Sequence, residues 1–307
     1  MADDSDPGDL FPGFAETRLE GDGLTLHARI GGEGPPLVLL HGYPQCHVMW
    51  HRIAPELARH FTCIIPDLRG YGQSDCAADS VEGSGYSKRA MGNDIAAAMS
   101  ALGHDRFAVA GHDRGARVGY RMALDHADRV ERLVVLDILP TADYWLRMDR
   151  AYGLKMYHWL FLAQPAPMPE TLIGGAPAAY LEHTIASWSK AGDLSAFDPR
   201  ALDAYRGFFA EPERIHAVCE DYRAGAGIDR ELDEADQAAG RRIACPVLTV
   251  WGETGLAPKP ASEDDSQLSV WRRWTENVTG APVDSGHFVA EENPQATLAH
   301  LIPFLTA

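Results

Sequence analysis

The sequence predicts an α/β fold in which a mostly parallel sheet is interrupted by a helical insertion, and three observations carry that prediction. Short apolar runs closed by Gly, Pro or Asp recur as PLVLLHG from Pro36, TCIIPD from Thr62, RFAVAGH from Arg106 and RLVVLD from Arg132. Unbroken runs of Val, Ile and Leu suit strands buried on both faces of a parallel sheet. Helical patterns lie between them: from Tyr86 to Leu102, apolar residues Met91, Ile95, Met99 and Leu102 recur at spacings that place them on one helix face. After Asp137 the alternation stops, and residues 140–244 carry helix-like segments and many aromatic side chains, among them Tyr144, Trp145, Tyr152, Tyr157, Trp159, Phe161, Tyr180 and Trp188.

The strand pattern resumes at PVLTVWG from Pro246 and, more weakly, before Ser285, and Pro294 to Leu305 reads as a closing helix. Three stretches follow: a first part of the core over residues 1–139, a helical cap over 140–244, and a second part of the core over 245–307. Gly255 to Asp265, with its prolines and acids, reads as a solvated loop.

Composition narrows the function. Apolar residues make up 46% and charged residues 23% of 307 positions, as in ordinary globular proteins. Lys plus Arg is 27 against 44 for Asp plus Glu, a formal net charge of −17 that repels phosphate backbones and anionic lipid, so neither nucleic acid nor a membrane surface is an expected partner. The five cysteines, Cys46, Cys63, Cys76, Cys219 and Cys245, form no CxxC pair, which speaks against a zinc or redox motif and fits a reducing compartment. The N-terminus lacks the basic and apolar regions of a signal peptide, and no stretch approaches the ~18 apolar residues of a membrane span. The expectation is a soluble, cytoplasmic protein.

The chemistry concentrates at Gly111-His112-Asp113-Arg114-Gly115, a strand running into a turn and then a helix. Two glycines around a polar residue at such a turn make a tight elbow that lifts a nucleophile above the sheet. The residue lifted here is Asp113, and a carboxylate nucleophile displaces a leaving group from saturated carbon to give an ester that water then cleaves. The bland alternative is that Asp113 merely caps the helix. His287, late in the chain, suits a general base, and His41-Gly42-Tyr43-Pro44 suits a loop whose backbone N–H groups, with that of the residue after the nucleophile, stabilise an oxyanion. Those donors are the amides of Tyr43 and Arg114. For the third carboxylate, Asp137 ends the strand after the nucleophile's helix, and Glu253, the acid that follows VLTVWG, is the fallback.

These residues resemble the α/β-hydrolase fold, and specifically its fluoroacetate (haloacetate) dehalogenases. The resemblance runs from about Phe14 to Phe304 and rests on HGYPQ, PDLRGYGQSD, GHDRGARVGYRMALDH, VVLDILPT, YHWLFLAQPAPMPE, CEDYRAG and SGHF. It implies Asp113 as nucleophile, His287 as base and Asp137 as its partner, Arg114 and Arg117 as the clamp for a substrate carboxylate, and His158, Trp159 and Tyr222 as the halide pocket. It implies no metal or organic cofactor, a small anionic haloacetate as substrate, and a homodimer.

Physical chemistry supports the clamp. Two arginines three residues apart at a helix start lie on one side of the helix, a guanidinium matches a carboxylate, and cations at the positive end of a helix dipole call for an anion nearby. The bland reading is that both arginines pair with neighbouring acids. Because the C–F bond is strong, its departing fluoride needs several donors aimed at it in a dry pocket, which His158, Trp159 and Tyr222 can supply.

Epoxide hydrolases share the Asp-His-Asp scaffold but use two cap tyrosines and commonly carry Trp where Arg114 stands; with Tyr152, Tyr157 and Tyr222 available, they are the runner-up. A neutral haloalkane gains nothing from two arginines, a serine esterase is excluded by Asp113, and a silent receptor is disfavoured by an unbroken triad. His47 and His51 lack a third ligand and read as packing or surface residues, and Asp67 and Arg69 as structural.

Overall fold

The computed structural model describes residues 9–78, 81–256 and 266–307, with backbone alone at 81–82. Most of the 255–265 loop lies outside the described residues. Eight strands form one sheet in the order β1-β2-β4-β3-β5-β6-β7-β8. β1 (Ala15–Glu20) and β2 (Thr25–Gly31) pair with each other, and β2 with β4, antiparallel; every other pairing is parallel. The predicted runs become β3 (Pro36–Leu40), β4 (Thr62–Pro66), β5 (Phe107–His112), β6 (Val130–Leu136) and β7 (Val247–Gly252). The weak run becomes the edge strand β8 (Val278–Val283), most of whose side chains keep some solvent contact. Leu37 to Leu40 of β3 and Phe107 to Ala110 of β5 are buried, as the central strands of a two-sided parallel sheet require.

Core helices α1 (Ala54–Leu57), α2 (Lys88–Ala101) and α3 (Arg114–Asp125) precede the insertion. Met91, Ile95 and Met99 of α2 are buried as the spacing predicted, but Leu102 falls just past the helix end and is exposed. Between β6 and β7 the described chain is helical throughout its regular elements: α4 (Thr141–Leu146), α5 (Arg150–Lys155), α6 (Tyr157–Leu162), α7 (Met168–Gly174), α8 (Pro177–Trp188), α9 (Pro199–Phe209), α10 (Pro212–Ala226) and α11 (Ile228–Ala238). Then come α12 (Gln267–Trp271), α13 (Val289–Glu292) and α14 (Pro294–Thr306). No helix among the described residues is long and apolar enough to cross a membrane.

The topology positions the site. Tyr43 follows β3, Asp113 follows β5, Asp137 follows β6 and His287 follows β8, so all four sit beyond the carboxyl ends of parallel strands, where open α/β sheets form their crevices. The elbow between β5 and α3 closes so tightly that a Cβ at Gly111 would strike the backbone of Gly115 and Ala116, and one at Gly115 would strike the carbonyls of Leu40 and His41. Only hydrogen at both positions lets α3 begin directly against β3.

Candidate active site

Asp113 is buried and sits at φ +44°, ψ −114°, a conformation that costs an ordinary residue of order 1–3 kcal/mol and persists only where the surroundings impose it. Its amide donates to Leu136 O at 3.3 Å and its carbonyl accepts from the Arg117 amide at 3.1 Å. Its side chain makes no capping bond to α3, which disposes of the helix-cap alternative. Oδ2 instead accepts from the Tyr43 amide at 3.2 Å. The Arg114 amide, expected as the second oxyanion donor, makes no such bond to the carboxylate. Burial acts to raise the Asp113 carboxyl, but the charges of His287, Arg117 and Arg114 outweigh it and hold the group below the usual carboxylate range.

His287 Nδ1 meets Asp137 Oδ2 at 2.6 Å, while its buried Nε2 has no hydrogen-bond partner in the protein. The Asp137 carboxylate also accepts from the amides of Gly252 (3.0 Å) and Leu256 (2.9 Å), so it is fully bound and fixes the imidazole tautomer with Nδ1 protonated. A Cβ at Gly255 would collide with this carboxylate. The glycine thus vacates the space that Asp137 fills from the neighbouring strand. Glu253, the fallback, instead lies exposed in the turn after β7, its amide bonded to Val283 O at 2.9 Å.

The two arginines differ. Arg114 is fully buried and ion-paired with Asp221 (Nη2–Oδ1 2.6 Å, Nε–Oδ2 3.0 Å), so for it the bland reading was right in part; only Nη1 lacks a partner. Arg117 is equally buried yet meets no carboxylate: Nη1 donates to Leu139 O at 3.0 Å and Thr141 Oγ1 at 3.1 Å, and Nε has no partner. Its guanidinium lies against the stacked pair of Tyr144 and Trp159, 4.6 Å from each ring centroid, an arrangement that stabilises a cation without neutralising it.

His158, Trp159 and Tyr222 are brought together. The His158 ring lies 5.6 Å from Tyr222, whose ring is 6.0 Å from Trp159 and 4.3 Å from the Arg114 guanidinium. Nδ1 of His158 and the Tyr222 hydroxyl are buried without protein partners. Burial drives the His158 imidazole down to about 3 and the Tyr222 phenol well above its ordinary range, so both are neutral, with an N–H and an O–H to give. Trp159 spends its faces on the arginines and on Tyr144, stacked at 5.1 Å, so its ring walls the cation as well as standing where the halide pocket was expected.

Two further residues, Trp188 and Asp221, and the ring of Tyr43 escaped the sequence reading of the site. Trp188 packs on His158 (4.4 Å) and stands perpendicular to His287 (5.5 Å), and its carbonyl accepts from the His287 amide at 2.9 Å. The Tyr43 ring lines the same space, edge-on to Tyr222 at 5.2 Å. Asp221 stood unremarked beside Tyr222 in CEDYRAG, although an acid adjoining a pocket residue opposite an arginine was the available signal.

A family profile for the α/β hydrolase fold matches residues 35–294. The chain belongs to the α/β-hydrolase family. It is 42% identical to a fluoroacetate dehalogenase of Burkholderia sp over 97% of this chain and 95% of the relative, and 32% identical to a soluble epoxide hydrolase of Corynebacterium sp (strain C12) over 92% and 94%. Among solved structures, an α/β hydrolase from Nostoc sp PCC 7120 superposes with a TM-score of 0.91 at 46% identity, covering 95% of this chain and 98% of that one.

Among the described residues, one grouping is compact enough to ligate a metal: His27, His47 and Asp67. Asp67 Oδ1 already accepts from His47 N (2.7 Å) and Nδ1 (2.9 Å), and Oδ2 from His27 Nδ1 and Gln73 N (both 3.0 Å). These bonds tie β2, the turn after β3 and the loop after β4 into one network. A metal would have to break them, so the cluster reads as structural. His47 and His51 are buried rather than on the surface. Arg69 grips Asp94 through two bonds of 2.6 Å.

Proposed function

We propose that the protein is a haloacetate dehalogenase, a hydrolase that converts fluoroacetate and related haloacetates to glycolate and halide, with Asp113, His287 and Asp137 as its catalytic residues. One observation carries the reading: Arg117 is a buried cation beside the nucleophile with no carboxylate of its own. A buried, unpaired ion is costly to fold around, and a substrate carboxylate is the counter-ion that answers it.

Arg117, with Arg114 Nη1, holds the haloacetate carboxylate so that its Cα faces Asp113 Oδ1, the oxygen not engaged by the Tyr43 amide. Oδ1 forms the new C–O bond as the C–halogen bond breaks, and the halide leaves toward His158, Tyr222 and Trp159. His287 Nε2 then takes a proton from water, whose oxygen attacks the Asp113 ester carbon. The oxyanion forms on Oδ2, against the Tyr43 amide, with the Arg114 amide as the second donor. Collapse breaks the bond from the Asp113 side-chain carbon to Oδ1, and His287 gives its proton to that departing oxygen. Glycolate leaves, and the Asp113 acid, now carrying the water oxygen, ionises to the carboxylate again. No metal or cofactor takes part in any of these steps.

The close epoxide hydrolase relative keeps a second reading in view, in which Tyr222 and another cap tyrosine such as Tyr152 polarise an epoxide oxygen. Halide release from fluoroacetate and chloroacetate, with Asp113→Asn and styrene oxide run alongside, separates the two. Fluoride release lost in the variant supports the dehalogenase; diol without halide replaces it by the epoxide hydrolase. We further place the protein in the cytoplasm, on its five free cysteines, and as a homodimer, on the exposed Leu146, Leu154 and Leu172 of the helical insertion, which sedimentation tests.

A further inference from the structure

Asp221, on α10 of the insertion, has no solvent contact and its carboxylate is held by three core residues. Arg114 Nη2 reaches Oδ1 and Nε reaches Oδ2, and Nη2 also donates to the Asp221 carbonyl at 2.7 Å. The Lys88 ammonium bonds to Oδ1, and the Tyr71 hydroxyl donates to Oδ2 at 2.7 Å. Lys88 is in turn held by Asp229 Oδ2 at 3.3 Å, while Asp229 Oδ1 accepts from the Lys88 amide at 2.8 Å. Two buried cations and two buried anions thus cancel, and a Cβ at Gly225, one turn further along α10, would press on the Arg114 guanidinium at 3.0 Å.

We propose that Asp221 is a positioning residue for substrate binding: it holds the Nε and Nη2 edge of Arg114 so that Nη1 alone faces the substrate carboxylate, and Lys88 cancels the charge that Asp221 brings. The inference rests on the haloacetate reading for the identity of the anion, not for the geometry. Its physical basis is that a bidentate carboxylate fixes a guanidinium in plane and direction, which a lone charge does not. Because the acid comes from the insertion and the arginine from α3, the fork is aimed only when the insertion is seated on the core. The alternative is that Asp221 serves only to balance the charge of Lys88.

The double variant Asp221→Asn with Lys88→Met removes one negative and one positive charge together, leaving the local sum unchanged. If Asp221 aims Arg114, the KM for chloroacetate rises about tenfold or more, and the dissociation constant for acetate, read by calorimetry, rises with it. A variant that folds less completely loses kcat in proportion to its active fraction and keeps its KM, so a change confined to kcat overturns the proposal, as does a KM within twofold of the wild type. Wild-type protein that releases no halide sinks the haloacetate reading. The acetate titration still decides the role of Asp221 in that event, since unchanged affinity in the double variant overturns it.

Discussion

Replacing Arg117 by methionine separates function from stability in a way that few buried substitutions do. In the folded protein Arg117 has two hydrogen bonds to neutral acceptors, at 3.0 and 3.1 Å, and two ring faces at 4.6 Å. Losing the bonds costs about 1 kcal/mol each, and the ring contacts roughly 0.5–2 kcal/mol each. Against this stands the relief of a desolvated ion that makes no ion pair, less the attraction it exerts on Asp113, several kcal/mol in all. The losses, about 3–6 kcal/mol together, are of the same size as that relief, so the two largely offset and the urea midpoint of Arg117→Met falls less than that of Arg114→Met. Catalysis does not escape: one or two charge-assisted bonds to the substrate carboxylate, about 1.5–3 kcal/mol each, are lost from the transition state. At 1.36 kcal/mol per factor of ten, kcat/KM for chloroacetate falls from roughly tenfold, for one weak bond lost, to about ten-thousandfold or more, for two strong ones. Arg114→Met behaves differently, because it strands Asp221 on Lys88, and costs about 3 kcal/mol of stability besides its activity. Equal stability losses in the two variants, or an Arg117→Met enzyme retaining a third or more of wild-type kcat/KM, refute the reasoning.

Other outcomes follow from the same geometry. Asp113→Asn forms no ester with chloroacetate, whereas His287→Asn accumulates one, seen by intact-mass spectrometry as a single added carboxymethyl group on Asp113; ester in the wild type alone contradicts this order. Gly255→Ala drives a methyl into the Asp137 carboxylate and displaces the His287 partner, so kcat falls about tenfold or more while the Asp113 alkylation step is spared. Burial raises Glu291, bonded to Gln45 and to Tyr205 (3.1 Å), to about 8, above its unfolded value, so its neutral form stabilises the protein at low pH and that contribution is lost as pH climbs through 8. Glu291→Gln removes the penalty: its urea midpoint exceeds the wild type's at pH 8.5, and the gap closes toward pH 5. A gap that widens on acidification refutes it.

Much of this was legible in the sequence because buried parallel strands leave unbroken apolar runs, and because the elbow needs glycine at positions 111 and 115 for steric reasons. The β1–β2 hairpin was not, since β1 is largely exposed and its mixture of charged and apolar residues lacks the signature of the central strands. Leu102 was misplaced because periodicity does not mark where a helix ends. In the site, Asp113, His287, Asp137 and Tyr43 follow strand ends and so could be ordered from the chain alone. Residues that act through long-range contacts could not: Asp221 meets Arg114 across 107 positions, and Trp188 meets His287 only because α8 folds over the sheet. The difference between the two arginines is likewise a matter of tertiary partners, since three residues of spacing make them look alike.

A single turnover of fluoroacetate by excess enzyme in water enriched in 18O tests the central claim most directly. If Asp113 Oδ1 displaces the halide, the glycolate carries unlabelled oxygen at its hydroxyl and the label appears in the Asp113 carboxylate, located by peptide mass spectrometry. Label in the glycolate hydroxyl after one turnover, with Asp113 unlabelled, contradicts it, because water rather than the aspartate would then have made the bond to carbon.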